Sequence, residues 1–319
     1  MAAIRTGIIG ASRVATYALI APARVVPGVQ VLGIAARDAD RSRSYAEEHG
    51  IERAYASYDD LFADPDVDLV YVSTPPSTHK DLALAAIRAG KPALVEKPFG
   101  LNAAEAREVF AASEASGVVI IEAMHSPHHR LFARMMEIFA SNEIGRVREI
   151  DAEFSTSIAR DDPIRWEHDL GGGALSDLGV YPLAWARRIA GEEFTVEHTQ
   201  AVFERGVDAQ FSSRLRFAGD VQARVRSSMQ AATTTARLSV RGSKGEIIAI
   251  NPLAPQHGHE LRISSDRGER SEVVAGPSSF EAQLSAVAAT LRDGAPFPFP
   301  RDDYVRSMDA LDLVRASFE

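Results

Sequence analysis

Ile4-Arg-Thr-Gly7-Ile-Ile-Gly10-Ala-Ser12-Arg-Val-Ala15 is the stretch on which the fold turns. An apolar strand-like run passes into small residues and then into helical spacing. Read against G-x-G-x-x-G/A, it supplies Gly10, Ser12 and Ala15. The first allows a tight turn, the second lets backbone amides approach a pyrophosphate, and the third lets helix and strand pack closely. A helix beginning there would hold the anion with its free N–H groups and its dipole. Ser12 stands where the middle glycine is usual, a small departure. Gly7, Gly10, Ala11, Ser12, Arg13 and Val14 are therefore candidates for a phosphate-binding turn. Taken alone, the motif also fits an ordinary turn; its surroundings decide.

Short apolar runs at 4–9, 29–36, 67–73, 93–96 and 118–121 alternate with helical patterns at 39–49, 58–63, 78–89 and 103–116. Asn102 with Glu105 three residues later is a capping-box-like start for the last of these helices. Such alternation predicts a parallel sheet with helices on both faces. The pattern changes near residue 124. A helix over 131–140 leads to a strand over 147–156, and a second helix runs over 175–190. Strands with period-two alternation follow: Phe211, Leu215 and Phe217 share one face, and Val221, Ala223, Val225 and Met229 share another. Residues 237–240 and 246–250 flank Gly242-Ser-Lys-Gly245 as a hairpin, and helices over 280–292 and 304–317 end the chain. The expectation is α/β: a doubly wound parallel sheet in 1–123, then an α+β domain in 124–319 with a large open, mostly antiparallel sheet, the C-terminal helix packing back on the first domain. That sheet has more strands than the chain's own helices can cover. The expectation is an exposed apolar face and a homodimer or homotetramer formed through it.

The end of the second strand bears on the cofactor. An acid there would bond the ribose 2′-hydroxyl and favour NAD. The chain reads Ala36-Arg37-Asp38-Ala-Asp-Arg41, with Ala36 in the acid's place. Arg37 and Arg41 favour a 2′-phosphate, hence NADP, through guanidinium pairing. A small shift in that assignment would put Asp38 there instead and restore NAD.

Composition excludes several classes. Apolar residues make up 45 %, enough for real cores. Acidic residues outnumber basic ones, 44 to 35, for a net charge of −9, the wrong sign for a nucleic-acid groove. With no cysteine there is no disulfide, thiol nucleophile or thiolate metal site, which suits the cytoplasm. No basic segment precedes an apolar run as in a signal peptide, and no apolar stretch approaches the ~20 residues of a membrane span.

Three later segments carry chemistry. Ser73-Thr74-Pro75-Pro-Ser-Thr-His79 and Glu96-Lys97-Pro98 each follow a strand at the carboxyl edge of the sheet, where doubly wound folds bind ligands. Gly171-Gly-Gly-Ala-Leu-Ser-Asp177-Leu-Gly-Val-Tyr181 opens a helix on which Asp177 and Tyr181, spaced i, i+4, share a face. Each has a bland reading, a surface lysine or a minor structural pair; their joint occurrence after a dinucleotide fingerprint raises them. Glu122-Ala-Met-His125-Ser-Pro-His128-His129 joins the domains; without an HExxH helix or an acid-and-histidine ligand set, its histidines read as cleft lining, not metal ligands. His168 and Trp166 precede the glycine cluster as further cleft candidates, Trp166 equally as packing.

In order, GxxGxS…A, TPPSTH, EKPFGLNAAEA and GGGALSDLGVY resemble the Gfo/Idh/MocA oxidoreductase family over essentially the whole chain. AARDADRSRSYAEEHGI, EKPFGLNAAEAREV and GGALSDLGVY are most similar to its dihydrodiol dehydrogenase / NADP-dependent D-xylose dehydrogenase branch. Tyr181 stands where many members have histidine. The resemblance implies a Rossmann domain and hydride transfer between NADP (or NAD) and a hydroxyl-bearing carbon of a sugar, polyol or cyclic diol, with Lys97, Asp177 and Tyr181 converging on that hydroxyl. Removing the hydride requires a base for the O–H proton. Tyrosine and lysine have ordinary pKa values of ~10 and ~10.4, and a close ammonium favours phenolate. Tyr181 is then the acid–base group and Lys97 the positioning cation, or the reverse, with Asp177 orienting the alcohol or balancing the lysine charge. The resemblance also places Arg148 and Phe280 in the pocket. Arg148 shares strand parity with Ile150, Ala152 and Phe154, and His125 replaces a tryptophan of the branch, making the pocket more polar. The family also includes a non-catalytic sugar-sensing regulator and enzymes that recycle a tightly held cofactor between two sugars; the intact Lys97/Asp177/Tyr181 set argues against the regulator.

Overall fold

The computed structural model describes residues 3–318, which form two compact units: the chain up to Met124 with Phe280–Met308, and His125–Ser279 with the residues from Asp309 on. In the first unit, β1 (Ile4–Ile9), β2 (Val29–Ala35), β3 (Arg53–Tyr55), β4 (Leu69–Val72), β5 (Ala93–Val95) and β6 (Ile120–Glu122) form one parallel sheet in the order β3-β2-β1-β4-β5-β6. The inner strands are apolar runs because helices cover both faces; all of β4 is buried. β3 was not foreseen: its three edge residues alternate between half-buried and exposed and carry no apolar run.

Helix starts follow local chemistry. Asp38 Oδ1 accepts the Arg41 N–H at 2.8 Å, capping Ala39–His49. Asn102 Oδ1 accepts the Glu105 N–H at 3.0 Å, and Glu105 Oε2 returns to the Leu101 N–H at 2.8 Å. This is the reciprocal capping arrangement read from the sequence, with the return bond displaced by one residue. Leu284, Val287 and Ala288 of helix Ser279–Asp293 complete the core around Ile8, Leu19 and Ile34.

The second unit is built on eight strands: β7 (Val147–Ser157), β8 (Phe194–Glu204), β9 (Val207–Phe217), β10 (Val221–Ser228), β11 (Gln230–Gly242), β12 (Gly245–Ile250), β13 (Glu260–Ser265) and β14 (Gly268–Glu272). Their order is β14-β13-β12-β11-β7-β10-β9-β8, antiparallel throughout except for β7 beside β10. Phe211, Leu215 and Phe217, with Val221, Ala223 and Val225, are buried on one face, against which helix Val180–Ala190 packs.

The opposite face overturns the apolar surface expected above. Arg224 lies across from Asp151 and bonds it, and Arg226 lies across from Glu153 and bonds it at 2.7 Å. Arg241 reaches Glu149 at 3.0 Å and Arg216 reaches Glu197 at 2.5 Å. The alternation that puts apolar residues inward puts arginines and carboxylates outward, and the register sets opposite signs across from each other where β7 meets β10 and β11, while Arg214 of β9 lies across from Arg224.

Candidate active site

The glycine turn has the form the sequence reading requires. Gly10 has φ +102°, and a Cβ there would lie 3.0 Å from the Ser73 carbonyl oxygen, so conformation and space both demand glycine. Ser12 has its own task. Its Oγ accepts the Ala15 N–H at 3.1 Å, capping the helical run that begins at Arg13, and donates to Ser73 Oγ at 2.9 Å. The hydroxyl that replaces the middle glycine thus ties the turn to the end of β4. A π-helical turn, Thr16–Ile20, continues the run.

Beside the turn, Arg41 Nη2 donates to the Ala11 carbonyl at 2.9 Å, and the Tyr45 hydroxyl donates to the Ser12 carbonyl at 2.9 Å. Ala36 is buried, its N–H on Ser42 Oγ at 2.8 Å, while Arg37 is exposed. Because Asp38 is the helix cap, it is engaged with its own backbone.

At the carboxyl ends of β4 and β5, buried His79 ties two loops together. Its Nε2 lies 2.8 Å from the Thr74 carbonyl and its Nδ1 lies 3.0 Å from the Pro98 carbonyl. Burial pushes this imidazole down to about 4. The Thr74 hydroxyl donates to Thr78 Oγ1 at 2.6 Å, and Thr78 donates to the Pro75 carbonyl at 2.8 Å. Buried Glu96 accepts the Tyr71 hydroxyl at 2.6 Å and the Lys97 N–H at 3.2 Å, and the Lys97–Pro98 peptide is cis. A glycine-only turn, a capped helix start and exposed guanidinium groups are features that could hold a dinucleotide.

In the second unit the glycine cluster leads into a π-helical turn, Leu175–Gly179, and then helix Val180–Ala190. A Cβ on Gly173 (φ +115°) would lie 2.2 Å from Asp208 Oδ1. The glycine therefore makes room for Asp208, whose Oδ2 accepts the Leu175 N–H at 2.7 Å. Burial raises this carboxyl to about 6. Asp177 bonds Arg165, Nε to Oδ2 at 3.1 Å, and Arg165 Nη1 also holds Asp162 at 2.7 Å. Asp177, foremost among its neighbours, holds the Arg165 guanidinium above its usual value.

Tyr181 is buried, its hydroxyl 3.3 Å from His125 Nε2 and its ring edge-to-face with Phe154, centroids 5.8 Å apart. Trp185, one turn on, donates its indole N–H to Ser126 Oγ at 3.0 Å, so two residues on one helical face grip consecutive residues of the 125–126 segment. Trp166 is buried, its ring 5.6 Å from the Arg160 guanidinium carbon. His168 is exposed beside Asp169. Arg148, on the inward parity of β7, is exposed near that strand's start. Phe280 belongs to the first unit, edge-to-face with Tyr17 at 5.5 Å. Among the described residues no three His, Cys, Asp or Glu gather as a metal site. His129 Nδ1 accepts the Leu131 N–H at 3.0 Å, away from His125.

Arg165, Asp208 and Ser279, whose Oγ lies 2.9 Å from His125 Nδ1 and 3.2 Å from Gln256 Oε1, were not among the residues expected from the sequence, nor was Gln256. Arg165 stands next to a residue that was. The others carry no local signal, since their partners are brought up by the fold.

Comparison with known proteins gives a consistent picture. The model of the oxidoreductase family with NAD-binding Rossmann fold, Gfo/Idh/MocA, matches residues 4–124, and that of the family's C-terminal domain matches 132–248. A D-xylose 1-dehydrogenase (NADP(+)) of Haloferax volcanii is 32 % identical over 98 % of this chain and 97 % of its own. A trans-1,2-dihydrobenzene-1,2-diol dehydrogenase of Xenopus tropicalis is 34 % identical over 77 % of this chain and 74 % of its own. Among solved structures, a 3-ketoreductase of Actinomadura kijaniata in complex with NADP and TDP-benzene superposes with a TM-score of 0.92 at 26 % identity, covering 99 % of this chain and 98 % of its own.

Proposed function

This chain belongs to the Gfo/Idh/MocA oxidoreductases and is an NAD(P)-dependent dehydrogenase, and from that premise we propose that Tyr181 is its acid–base group, with Lys97 as a fixed positive charge and Asp177 as the group that orients the substrate alcohol. The substrate is a hydroxyl-bearing carbon of a sugar, polyol or cyclic diol, the chemistry named for its relatives. The bound nicotinamide supplies the hydride acceptor; the residues of this chain bind, orient and move the proton. The observation that carries the reading is the setting of Tyr181: a buried phenol on a rigid helix, with a polar partner at its oxygen. A buried hydroxyl with a directed polar partner is suited to hand over a proton.

Gly7, Gly10–Val14, Ala36, Arg37, Arg41, Ser73–Pro75, His79 and Glu96–Pro98 are the proposed cofactor residues, with NADP the preferred form because Ala36 stands in the acid's place beside the exposed Arg37 and Arg41. Phe154 and His125, both against Tyr181, lead the proposed substrate-side residues, with Arg148, Trp166, His168 and Phe280. We also propose a cytoplasmic homo-oligomer. No helix of the described residues is long and apolar enough to cross a membrane, and the alternating charges of the open sheet face are complementary to a second copy of themselves. Light scattering at micromolar concentration reads the assembly.

The test is turnover and NADPH binding of Tyr181→Phe and Lys97→Met, with substrates drawn from aldoses, inositols and cyclic diols and both NADP⁺ and NAD⁺ offered. Tyr181→Phe should lose about a hundredfold or more in turnover while still binding NADPH. Normal turnover in both variants overturns the assignment.

A further inference from the structure

The hydrogen bonds behind Tyr181 have a direction that follows from the one group among them that can only donate. The Ser279 N–H and the Ser279 hydroxyl both address the same atom, Gln256 Oε1, at 3.4 and 3.2 Å. A backbone N–H can only donate, so that atom is the amide oxygen; it has no proton to give, and its contact with Ser279 Oγ is a hydrogen bond only with the serine as donor. His125 Nδ1 lies 2.9 Å from Ser279 Oγ. With the serine proton already placed, Oγ can only accept there, so Nδ1 carries the imidazole proton. A neutral His125 then has a bare Nε2, and that nitrogen is the one 3.3 Å from the Tyr181 hydroxyl. The order is Tyr181 O–H to His125 Nε2, His125 Nδ1–H to Ser279 Oγ, and Ser279 Oγ–H to Gln256 Oε1. His125, Tyr181 and Ser279 are buried, and the Trp185 bond to Ser126 holds the histidine segment in place.

We infer that His125 is a positioning residue that acts through Tyr181, fixing the phenol as a donor and taking its proton during turnover, so that Tyr181 relays a proton and stays neutral in the resting enzyme. This rests on the acid–base reading of Tyr181 given above. In the oxidative direction the substrate O–H bond breaks and a new O–H bond forms on Tyr181. The original phenolic O–H bond breaks and an N–H bond forms on His125 Nε2. The electron pair of the carbinol C–H bond leaves as hydride for the nicotinamide, the carbon becoming a carbonyl. The imidazolium, stabilised through Nδ1–H by Ser279, then loses its proton to solvent. In reduction the same bonds form and break in reverse. Phenolate formation under a nearby ammonium is therefore not required. A histidine that merely lined the substrate pocket would need neither the bare Nε2 nor the Ser279–Gln256 pair behind it.

Three measurements on the full-length protein test this. Ring-nitrogen NMR of ¹⁵N-histidine protein at neutral pH, with His125 assigned by its loss in His125→Phe or by its shift in Ser279→Ala, should show Nδ1 protonated and Nε2 bare. His125→Phe should lower kcat by about a hundredfold, with KM changed less than about threefold. The single-turnover rate against deuterium fraction should be curved in the wild type, where two protons move, and straight in His125→Phe. Ser279→Ala, which leaves Nδ1–H without its acceptor, should cost about tenfold in kcat and keeps the test open if the ring variant does not fold. An Nε2-protonated His125 in the wild type overturns the relay. So does a His125→Phe enzyme with near-normal kcat and a raised KM while Tyr181→Phe remains inactive, an outcome that leaves the acid–base reading standing. Full turnover by Tyr181→Phe sinks both.

Discussion

Arg165 Nε lies 3.1 Å from Asp177 Oδ2, and the same guanidinium holds Asp162 at 2.7 Å, so the motif aspartate is anchored by a cation twelve positions before it. A carboxylate that orients a substrate hydroxyl must present one oxygen in a fixed direction, and a guanidinium on the other oxygen does that. Arg165→Met should therefore lower kcat/KM by about tenfold without unfolding the protein, and Asp177→Asn should lower it at least as much. In the double variant the losses should not add, leaving a coupling energy of about 1 kcal/mol. Additive losses would show that Arg165 merely braces the 162–166 turn.

Cofactor choice turns on which side chains near the end of β2 are engaged elsewhere. Asp38 caps its helix and Arg37 is exposed. Arg37→Gln should raise the KM for NADP⁺ by about tenfold, the worth of one charge-assisted bond, and leave that for NAD⁺ unchanged. Asp38→Asn, an equally good cap, should alter neither. A selective loss of NAD⁺ binding in Asp38→Asn would place the ribose on that carboxylate.

Stability should fall as pH drops below 6.5. Burial holds His79 and His129 down at about 4, and burial with Arg188 nearby holds His128 down at about 3. The unfolded chain takes up protons near 6.5 that the folded chain refuses, so the stability these groups contribute is whole above 6.5 and is lost as pH falls toward 4. Asp208, raised to about 6, has the opposite sign: the folded chain binds its proton first, so stability is gained as pH falls from 6 to about 3.8. Three histidines outweigh one carboxyl. The melting temperature should drop steadily between pH 6.5 and 4.5, and Asp208→Asn should steepen that drop. A flat profile would mean that water reaches these imidazoles.

Strand–helix alternation, the glycine turn and the Asp177–Tyr181 helix were legible because each rests on residues close in sequence. Buried parallel strands are continuous apolar runs, and a turn at a phosphate site needs small residues within six positions. β3 escaped because three half-exposed edge residues leave no such run. The charged sheet face escaped for another reason: its arginines and carboxylates are visible in β7 and β10, but which sign meets which depends on register between strands about seventy residues apart. Ser279, 154 residues from the histidine it orients, is the extreme case. The Ser12 substitution looked like a weakening of the motif, and only its bond to Ser73 shows what the hydroxyl does.

The arginine–carboxylate pairing across β7, β10, β11 and β9 also acts as a filter. A greasy surface pressed onto it would strip water from many ions and give nothing back, so casual association is penalised wherever it begins. Only a counter-surface carrying the same alternation, set in the right phase, could replace the lost hydration. The face resembles a lock whose pins are charges: broad enough to invite indiscriminate sticking, yet closed to nearly everything that lacks its pattern.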